Sequence, residues 1–321
     1  MIVITGARGF IASNLVEKLN KEAITNIILV DELENQKKNR NLIGLQYDKI
    51  FHRNDFIEWF QNNANEVSFV YHLGARTDTA EFDIEIFKKL NINYSKSIWN
   101  ICTQNNIPLV YASSAATYGE GENGYDDKKP IANLKPLNPY GDSKQIFDLW
   151  VQQQTKTPPM FVGLKFFNVY GKGEWHKGRM ASVIMHAYNQ IKETNKMKLF
   201  ESHRSDFKNG EQKRDFIYVN DLVEMCYFFQ QAFETNKQIE NGIYNIGTGK
   251  ARSFNDLVLA TFAAMNIKPN ISYIPTPEDI RDKYQYFTEA KMEKIKNQGF
   301  NKKISSLEEG VKKYVETFLL D

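Results

Sequence analysis

Short apolar runs and amphipathic stretches alternate in the first half of the chain. Ile2–Thr5 is an apolar run that ends at a glycine-containing turn, and apolar residues then recur at helical spacing from Ile11 to Leu19. A second apolar run, at 27–30, ends in Asp31. This order of strand, glycine turn, helix, strand and acidic residue predicts the βαβ unit of a nucleotide-binding sheet.

The same alternation continues to residue 167. It predicts further strands at Val67–His72, Pro108–Ala112 and Phe161–Phe167, with a helix from Ile84 to Asn105. These runs are short and lack strict alternation, which is typical of strands that are covered on both faces of a parallel sheet. We therefore predict an α/β fold built on a Rossmann-type, doubly wound parallel sheet.

The pattern changes after Gly171, where residues 172–215 are mainly polar. The later predicted elements are mixed strand and helix at 216–233, strands at 243–246 and 271–274, a helix from Phe254 to Met265 capped by Ser253, and a last helix at 307–319. We expect residues 1–171 and 216–248 to form the nucleotide-binding Rossmann domain. Residues 172–215 and 249–321 are then expected to form a smaller, mixed α/β substrate-binding domain.

Composition narrows the class of protein. The 321 residues include 42% hydrophobic residues, and the net charge of +2 gives no global field for nucleic acid or a membrane. Cys102 and Cys226 lie among apolar residues, so we expect buried free thiols and a reducing compartment. The five histidines lack the spacing of a metal site. No secretory signal pattern opens the chain and no apolar run approaches the ~18 residues of a membrane span, so we expect a cytoplasmic protein.

The turn after the first strand has the spacing Gly6-x-x-Gly9-x-x-Ala12. Glycines at such a turn allow the backbone to approach a pyrophosphate, which then lies at the N-terminus of the following helix. Ala12 is small enough to replace the third glycine, which usually permits close packing of helix and strand. The turn therefore predicts a dinucleotide site.

The residues after the second strand leave the identity of the dinucleotide open. Asp31 is placed to bind the adenosine ribose hydroxyls, which favours NAD, and Glu32 adds a second negative charge. Lys37, Lys38 and Arg40 are close enough in sequence to reach a 2′-phosphate, which favours NADP.

Tyr140 and Lys144 lie four residues apart, where a loop is predicted to become a helix, so they share one helix face. A free phenol ionises near pKa ~10, and a neighbouring ammonium group lowers that pKa, so the pair can exchange a proton with an alcohol. Ser114 follows the strand predicted at 108–112, and its hydroxyl can donate to a carbonyl oxygen formed when the alcohol is oxidised. Together the three residues predict a hydride-transfer site.

This order of features resembles the extended short-chain dehydrogenase/reductase superfamily, whose members modify nucleotide-activated sugars with bound NAD or NADP. The shared features are the glycine turn, Asp31, His72–Ala75, Ser114, and Tyr140 with Lys144. Within the superfamily the chain is most similar to the ADP-L-glycero-D-manno-heptose 6-epimerase family, over nearly its whole length. The segments that carry this likeness are Tyr111–Gly119, Phe166–Gly171, His176–Val183, Leu199–Glu201, Lys213–Val219 and Tyr284–Thr288.

The resemblance implies that C6 of the heptose in ADP-D-glycero-D-manno-heptose is inverted, for the synthesis of lipopolysaccharide inner-core precursors. Tightly bound NADP, or NAD, would accept a hydride to give a 6-keto intermediate and return it to the opposite face. The resemblance assigns the two proton-transfer roles to Tyr140 and Lys177, with Ser114 as the third catalytic residue. One rigid base cannot reach the hydroxyl of both epimers, which supports two such groups. Lys144 would tune Tyr140 and hold the nicotinamide ribose.

The resemblance also implies the binding residues and a homo-oligomer, with a pentamer as the expected assembly. Near the cofactor it places Gly6, Gly9, Phe10, Ile11, Asp31, Glu32, Lys38, Arg53, Leu73, Gly74, Ala75, Arg76, Thr77, Asn91, Lys144, Val169 and Lys177. Near the substrate it places Asn168, Arg179, His186, Phe200, Glu201, Ser202, His203, Arg214 and Tyr284. The guanidinium of Arg214 suits a diphosphate, which arginine binds in bidentate fashion.

Some residues depart from the family pattern. Glu32 replaces a residue that is usually neutral, which weakens the case for NADP. Arg179 stands where the family usually has serine, His203 falls in a segment that usually reads Phe-Glu-Gly-Ser, and the loop at 202–212 is longer than usual. The last three departures lie on the substrate side, so the base or the sugar of the substrate can differ from the family norm.

Three alternatives to the 6-epimerase function differ from it in substrate, in sequence motif or in the residues that they require. Another nucleotide-sugar epimerase, such as a 4-epimerase, is the nearest alternative. A 4,6-dehydratase would carry an Asp-Glu pair after Thr117, where this chain has Tyr118 and Gly119. A non-catalytic dinucleotide sensor would not need Ser114, Tyr140 and Lys177 together.

Overall fold

The computed structural model describes residues 1–79, 81–281 and 284–320. Its strands, numbered along the chain, are β1 (Ile2–Thr5), β2 (Ile27–Asp31), β3 (Lys49–His52), β4 (Phe69–His72), β5 (Leu109–Ser114), β6 (Phe161–Phe166), β7 (Asn168–Tyr170), β8 (Met197–Phe200), β9 (Lys213–Tyr218), β10 (Gly242–Ile246), β11 (Ala251–Ser253) and β12 (Ile271–Ile274). Its α-helices are α1 (Phe10–Lys21), α2 (Arg53–Asn63), α3 (Ile84–Phe87), α4 (Tyr94–Gln104), α5 (Pro139–Gln152), α6 (Val183–Thr194), α7 (Val219–Glu234), α8 (Phe254–Ala264), α9 (Glu278–Arg281), α10 (Glu293–Asn297) and α11 (Leu307–Tyr314).

Seven parallel strands form the central sheet, in the order β10-β6-β5-β4-β1-β2-β3. The chain steps one way from β1 to β3 and the other way from β4 to β6, and right-handed crossovers then place helices on both faces. Successive residues of β4 point to opposite faces of the sheet and contact different helices. The Tyr71 hydroxyl donates to Gln230 of α7, while the His72 ring is hydrogen-bonded to Ser95 of α4. The predicted doubly wound α/β fold is confirmed.

Most predicted elements are present, with small differences at their ends. β4 begins at Phe69, two residues later than predicted, and β5 extends to Ser114. The helix predicted from 84 to 105 is interrupted by a π-helical segment, Lys88–Asn93. Ser253 caps α8 in a capping box with Asp256, as the sequence predicted.

The region at 172–215 is more regular than its polar composition indicated. It contains α6, with Ser182 at its N-cap and its buried side chains at 184, 187, 188 and 191. That spacing places the apolar residues on one helical face, while the other faces are polar and dominate the composition. β3 and α2 were also missed, because β3 is a partly exposed edge strand without a continuous apolar run.

Two small sheets lie beside the central one. The first has the order β11-β9-β7, and the second pairs β12 with β8. The first draws strands from both of the regions that the sequence assigned to separate domains, because β7 belongs to the predicted Rossmann domain, β11 belongs to the predicted substrate-binding domain, and β9 spans their boundary at 215–216. The Cys102 and Cys226 thiols are free and buried, as expected. Among the described helices none is both long and apolar enough to cross a membrane.

Candidate active site

The glycine turn between β1 and α1 is shaped by close packing against the segment that follows β4. Gly6 has a φ of 69°, and a Cβ there would lie 2.6 Å from the Cα of Gly74. Gly9 is the N-cap of α1, and its N–H donates to the Gly6 carbonyl at 2.8 Å. The first turn of α1 carries no acidic side chain. The tight turn that the spacing of Gly6, Gly9 and Ala12 predicted is therefore present at the start of α1, and the binding of an anion there stays a prediction.

Asp31 at the end of β2 is held by three donors. Its carboxylate accepts from the Arg8 N–H at 2.8 Å, the Glu32 N–H at 2.8 Å and the Lys38 Nζ at 3.2 Å. Lys38 also pairs with Glu32 at 2.8 Å. Burial opposes ionisation of Glu32, but the Lys38 hydrogen bond and the Asn35 backbone outweigh it and lower the pKa of Glu32 to about 2. The Glu32 carboxylate therefore stays charged beside Lys38.

The residues around Asp31 fit a dinucleotide. Arg8 is buried and donates to the Glu32 and Asn35 carbonyls, yet its Nε has no hydrogen-bond partner in the described part of the chain. The Nε of Arg53 and the Tyr94 hydroxyl are likewise buried without a hydrogen bond to any described residue. Burial raises the pKa of Tyr94, the positive charge of Arg53 lowers it, and the negative charge of Asp31 raises it. Arg53, Asp31 and Tyr94 therefore lie close together. Unused guanidinium donors beside an acidic strand end suit a ribose with a phosphate.

Tyr140 lies in the first turn of α5, where it meets Ser114. The side chain of Asn138 caps the helix by accepting from the Gly141 N–H at 2.9 Å. Gly141 lets α5 approach the turn after β5, because a Cβ there would be 3.0 Å from the Ala116 carbonyl oxygen. Burial raises the pKa of the Tyr140 phenol, and its hydrogen bond with Ser114 acts in the opposite direction. Ser114 and Tyr140, which the sequence assigned to one hydride-transfer site, are therefore in hydrogen-bond contact.

Lys144 does not act on Tyr140 in the way that the sequence predicted. Its Nζ donates to the Ala112 carbonyl of β5 at 2.8 Å. Burial lowers the pKa of Lys144 to about 8, and the charge of Asp148 opposes that shift. The predicted lowering of the Tyr140 pKa is wrong for this structure, because burial of the phenol is the larger effect.

Lys177 occupies a separate segment near the glycine turn. Its Nζ lies 5.4 Å from the centre of the Phe10 ring, at the start of α1. Burial lowers its pKa, and the charge of Glu174 raises it. Among the described residues no hydrogen bond joins Lys177 to Tyr140, so the two proposed bases belong to different parts of the site.

The segment at 175–182 crosses the carboxyl edge of the central sheet. On one side the His176 ring contacts the side-chain amide of Asn41. Burial lowers the pKa of His176 most, and the positive charges of Lys38 and Lys177 lower it further, to about 4. On the other side Arg179 pairs with Asp78 at 3.3 Å, in the segment after β4. Lys177 therefore lies between the β2 side and the β4 side of the predicted dinucleotide site.

Aromatic side chains surround Arg214 on the substrate side. Arg214 is buried and donates to the Lys213 and Gln285 carbonyls. Its guanidinium lies 5.6 Å from the Tyr284 ring centre, and Tyr284 packs edge-on against Phe200 at 6.1 Å. The structure thus brings together three of the residues that the resemblance placed near the substrate.

The other predicted residues have more varied surroundings. Asn91, in the π-helical segment, uses its side-chain amide to hold the Arg76 backbone at 2.8 Å and 3.0 Å and Ser143 at 2.9 Å. It positions the segment from Leu73 to Thr77 and has no side-chain donor left for a ligand. Asn168, His186 and His203 are exposed, and Ile11, Val169, Glu201 and Ser202 are partly buried.

Sequence reasoning missed Tyr286, Arg204 and Glu174. The Tyr286 hydroxyl contacts the His203 ring and backbone N–H, each at 2.9 Å, and the Arg204 guanidinium lies 4.8 Å from the Tyr286 ring centre. Tyr286 lies in a segment that carried the family likeness, so that segment was its available signal. Glu174 is fully buried, and no sequence pattern marks a buried carboxylate in a polar segment.

Known proteins resemble the chain in sequence and in structure. The model of the NAD dependent epimerase/dehydratase family matches residues 2–247. An ADP-L-glycero-D-manno-heptose-6-epimerase from Fusobacterium nucleatum subsp. nucleatum is 46% identical, over 99% of this chain and 98% of its own length. A protein of the same name from Nitratidesulfovibrio vulgaris is 44% identical, over 99% of this chain and 98% of its own.

A solved structure agrees with these relatives. The crystal structure of the Helicobacter pylori ADP-L-glycero-D-manno-heptose-6-epimerase superposes with a TM-score of 0.79 at 25% identity, covering 98% of this chain and 94% of that one. The chain therefore belongs to the NAD dependent epimerase/dehydratase family and, within it, to the group of ADP-L-glycero-D-manno-heptose-6-epimerases.

Proposed function

We propose that the chain is an isomerase that inverts C6 of the heptose in ADP-D-glycero-D-manno-heptose. The observation that carries this proposal is the 46% identity over 99% of the chain to a relative with that name. The hydrogen bond between Ser114 and Tyr140 supports it, as does a second candidate base, the partly buried Lys177, in a different segment. The dinucleotide supplies a hydride acceptor when it is bound and returns the hydride later, so the reaction needs no external oxidant.

The chain's own residues would then manage protons and orientation. Tyr140 takes the C6 hydroxyl proton of one epimer, and Ser114 donates to the same oxygen as it becomes a carbonyl. Lys177 does the same work for the other epimer, and its lowered pKa gives it a larger neutral fraction than a free lysine. Lys144, anchored on Ala112, holds the ribose next to the nicotinamide.

We propose that the sugar nucleotide is bound by the parts at 172–215 and 249–321. Arg214 supports this placement. Its guanidinium is buried among these parts of the chain, and hydrogen bonds to the Lys213 and Gln285 carbonyls fix the orientation of the guanidinium. Phe200 and Tyr284 flank it with aromatic surface on which a base or a sugar can stack.

We propose NADP as the resident dinucleotide, with NAD as the rival. Lys38, Arg8 and Arg53 supply three positive charges around Asp31, against the two negative charges of Asp31 and Glu32. The buried Nε atoms of Arg8 and Arg53 have no hydrogen-bond partner among the described residues, which leaves donors for a 2′-phosphate.

Substitution of the two proposed proton-transfer residues, Tyr140 and Lys177, tests the function. Tyr140→Phe and Lys177→Met should each lower epimerisation of ADP-D-glycero-D-manno-heptose by about 10²–10⁴-fold, because each removes one proton-transfer group. Conversion is followed by NMR of the C6 proton, and unfolding midpoints check that both variants are folded. Wild-type turnover in both variants would contradict the two-base scheme. Inversion at C4 alone by the wild-type protein would assign a 4-epimerase instead.

A further inference from the structure

Glu174 is a buried carboxylate without a pairing cation. Its side chain is completely buried, and no lysine or arginine of the described ranges lies within ion-pair distance of it. A buried charge is costly unless hydrogen bonds satisfy it. Glu174 therefore depends on its hydrogen-bond donors and on the charges in its surroundings.

The donors to Glu174 come from both ends of one segment. The Ser182 N–H and hydroxyl donate to the carboxylate at 2.5 Å and 2.7 Å, and the Gly171 N–H reaches it at 3.4 Å. Ser182 is also the N-cap of α6. The carboxylate thus closes the segment at 171–182 into a loop and ties that loop to the helix that follows.

Lys177 lies inside this loop. Its backbone N–H donates to the Glu174 carbonyl at 3.0 Å, and Gly178, with a φ of 53°, turns the chain immediately after it. The Lys177 ammonium therefore projects from a turn whose first residue is Glu174.

The charges around Lys177 come from several elements. Glu174 is the charged group that raises the Lys177 pKa, against the effect of burial. His176, beside Lys177, faces Lys38 and Asp31 from the β2 side. Tyr314 of α11 faces Glu174. Burial raises the pKa of the Tyr314 phenol most, and the negative charge of Glu174 raises it further. Glu174 is thus the one anion among these groups that acts directly on Lys177.

We propose that Glu174 is a positioning residue for Lys177: it closes the loop that carries the lysine and places a buried carboxylate at the start of the turn from which the lysine projects. This proposal rests on the proposed function, in which Lys177 exchanges a proton with one epimer. A purely structural role would require only the hydrogen bonds to Ser182 and Gly171. The charge and the hydrogen bonds can be separated by substitution.

Competitive acetylation measures the titration of Lys177 without any substrate. The wild type, Glu174→Gln and Ser182→Ala are labelled with trace acetic anhydride over a pH series, and modification at residue 177 is quantified by mass spectrometry. Glu174→Gln should move the Lys177 midpoint to lower pH by roughly one unit, because a neighbouring anion is lost. Ser182→Ala keeps the anion and removes the two hydrogen bonds of the Ser182 hydroxyl, to Glu174 and to the Met185 N–H, so it should leave the midpoint in place. Equal midpoints in the wild type and Glu174→Gln, or equal shifts in both variants, would overturn the proposal.

A second measurement uses the direction of the reaction. Single turnovers with Lys177→Met identify the ADP-heptose epimer whose oxidation needs Lys177. Glu174→Asp should slow oxidation of that same epimer and should leave oxidation of the other epimer near the wild-type rate. The aspartate keeps the charge but is too short to reach both ends of the loop, so this variant also serves if Glu174→Gln does not fold. Equal rates for both epimers would overturn the proposal. A wild type that converts no ADP-heptose would refute the proposed function, while the labelling result would still decide the effect of Glu174 on Lys177.

Discussion

Buried titratable side chains gather where α5 meets the central sheet. Asp148 accepts hydrogen bonds from Ser113 at 2.6 Å and Tyr111 at 3.2 Å, and it pairs with the buried Lys165 at 3.1 Å. Tyr140, Lys144 and Asp148 follow one another at intervals of four residues, so they share a face of α5. The spacing predicted the first two, but the Asp148–Lys165 pair joins residues whose contact depends on the fold.

His72 is another buried titratable group, and a chain of hydrogen bonds fixes it as a neutral ring. Its Nδ1 lies 2.7 Å from the Thr5 hydroxyl and its Nε2 lies 2.8 Å from the Ser95 hydroxyl. Ser95 donates onward to the Asn91 carbonyl, which makes Nε2 the protonated nitrogen of His72. Burial, and then the charge of Lys144, lower the pKa of His72 to about 3.

This shift predicts a loss of stability in mild acid. Between the unfolded pKa near ~6.5 and the folded value, only the unfolded chain binds the His72 proton, so stability is full above the unfolded pKa and falls as pH drops. The contribution lost between pH 7.5 and pH 5 is about 2 kcal/mol. Urea unfolding of the wild type and His72→Gln over this range measures it. The variant should be less stable at pH 7.5 and should change less with pH, whereas parallel pH dependences would contradict the prediction.

At the level of elements, local pattern predicted the strands that are buried on both faces and the turn that follows β1. It failed for β3, which is half-exposed, and for α6, whose apolar face is diluted by polar neighbours. The site divides in the same way. Gly6, Asp31 and Tyr140 belong to local spacings that a reader can recognise, while Glu174 acquires its role only when Ser182 and Gly171 close around it.

The glycine turn allows a prediction with a matched control. Gly6 and Gly44 have similar φ values of 69° and 77°. A Cβ at Gly44 would meet no described atom within 4 Å, whereas a Cβ at Gly6 would collide with the Gly74 backbone. Gly44→Ala should therefore cost only about 1–2 kcal/mol of backbone strain. Gly6→Ala should cost clearly more, and should also weaken dinucleotide binding. Chemical unfolding and dinucleotide titration of both variants measure these effects, and equal losses would show that backbone strain alone is responsible.

In the whole molecule, segments that are distant in sequence meet around the predicted adenosine end of the dinucleotide. Asn41 connects three of them: its side-chain amide donates to the Arg8 carbonyl at 3.0 Å and the Gly173 carbonyl at 2.9 Å, and its oxygen accepts from Trp175 at 3.0 Å. The side chain of Asn41 therefore ties together the glycine turn, the loop after β2 and the loop that carries Lys177. A cofactor that regains its original redox state in every turnover does not have to leave such an enclosure.

The choice between NADP and NAD can be tested on this enclosure with two adjacent lysines. Lys38 is largely buried between Asp31 and Glu32, while Lys37 is exposed and makes no side-chain ion pair in the described part of the chain. Removing Lys38 deletes the cation that is proposed to bind the 2′-phosphate and leaves two carboxylates without its charge, so Lys38→Ala should lower the ratio of bound NADP to bound NAD by roughly tenfold or more. Lys37→Ala should keep the wild-type ratio. Each protein is equilibrated with equal NADP and NAD, desalted and denatured, and the released nucleotides are quantified by mass spectrometry. A wild type that retains mainly NAD, or a ratio unaffected by Lys38→Ala, would assign the site to NAD and leave Asp31 as the ribose ligand.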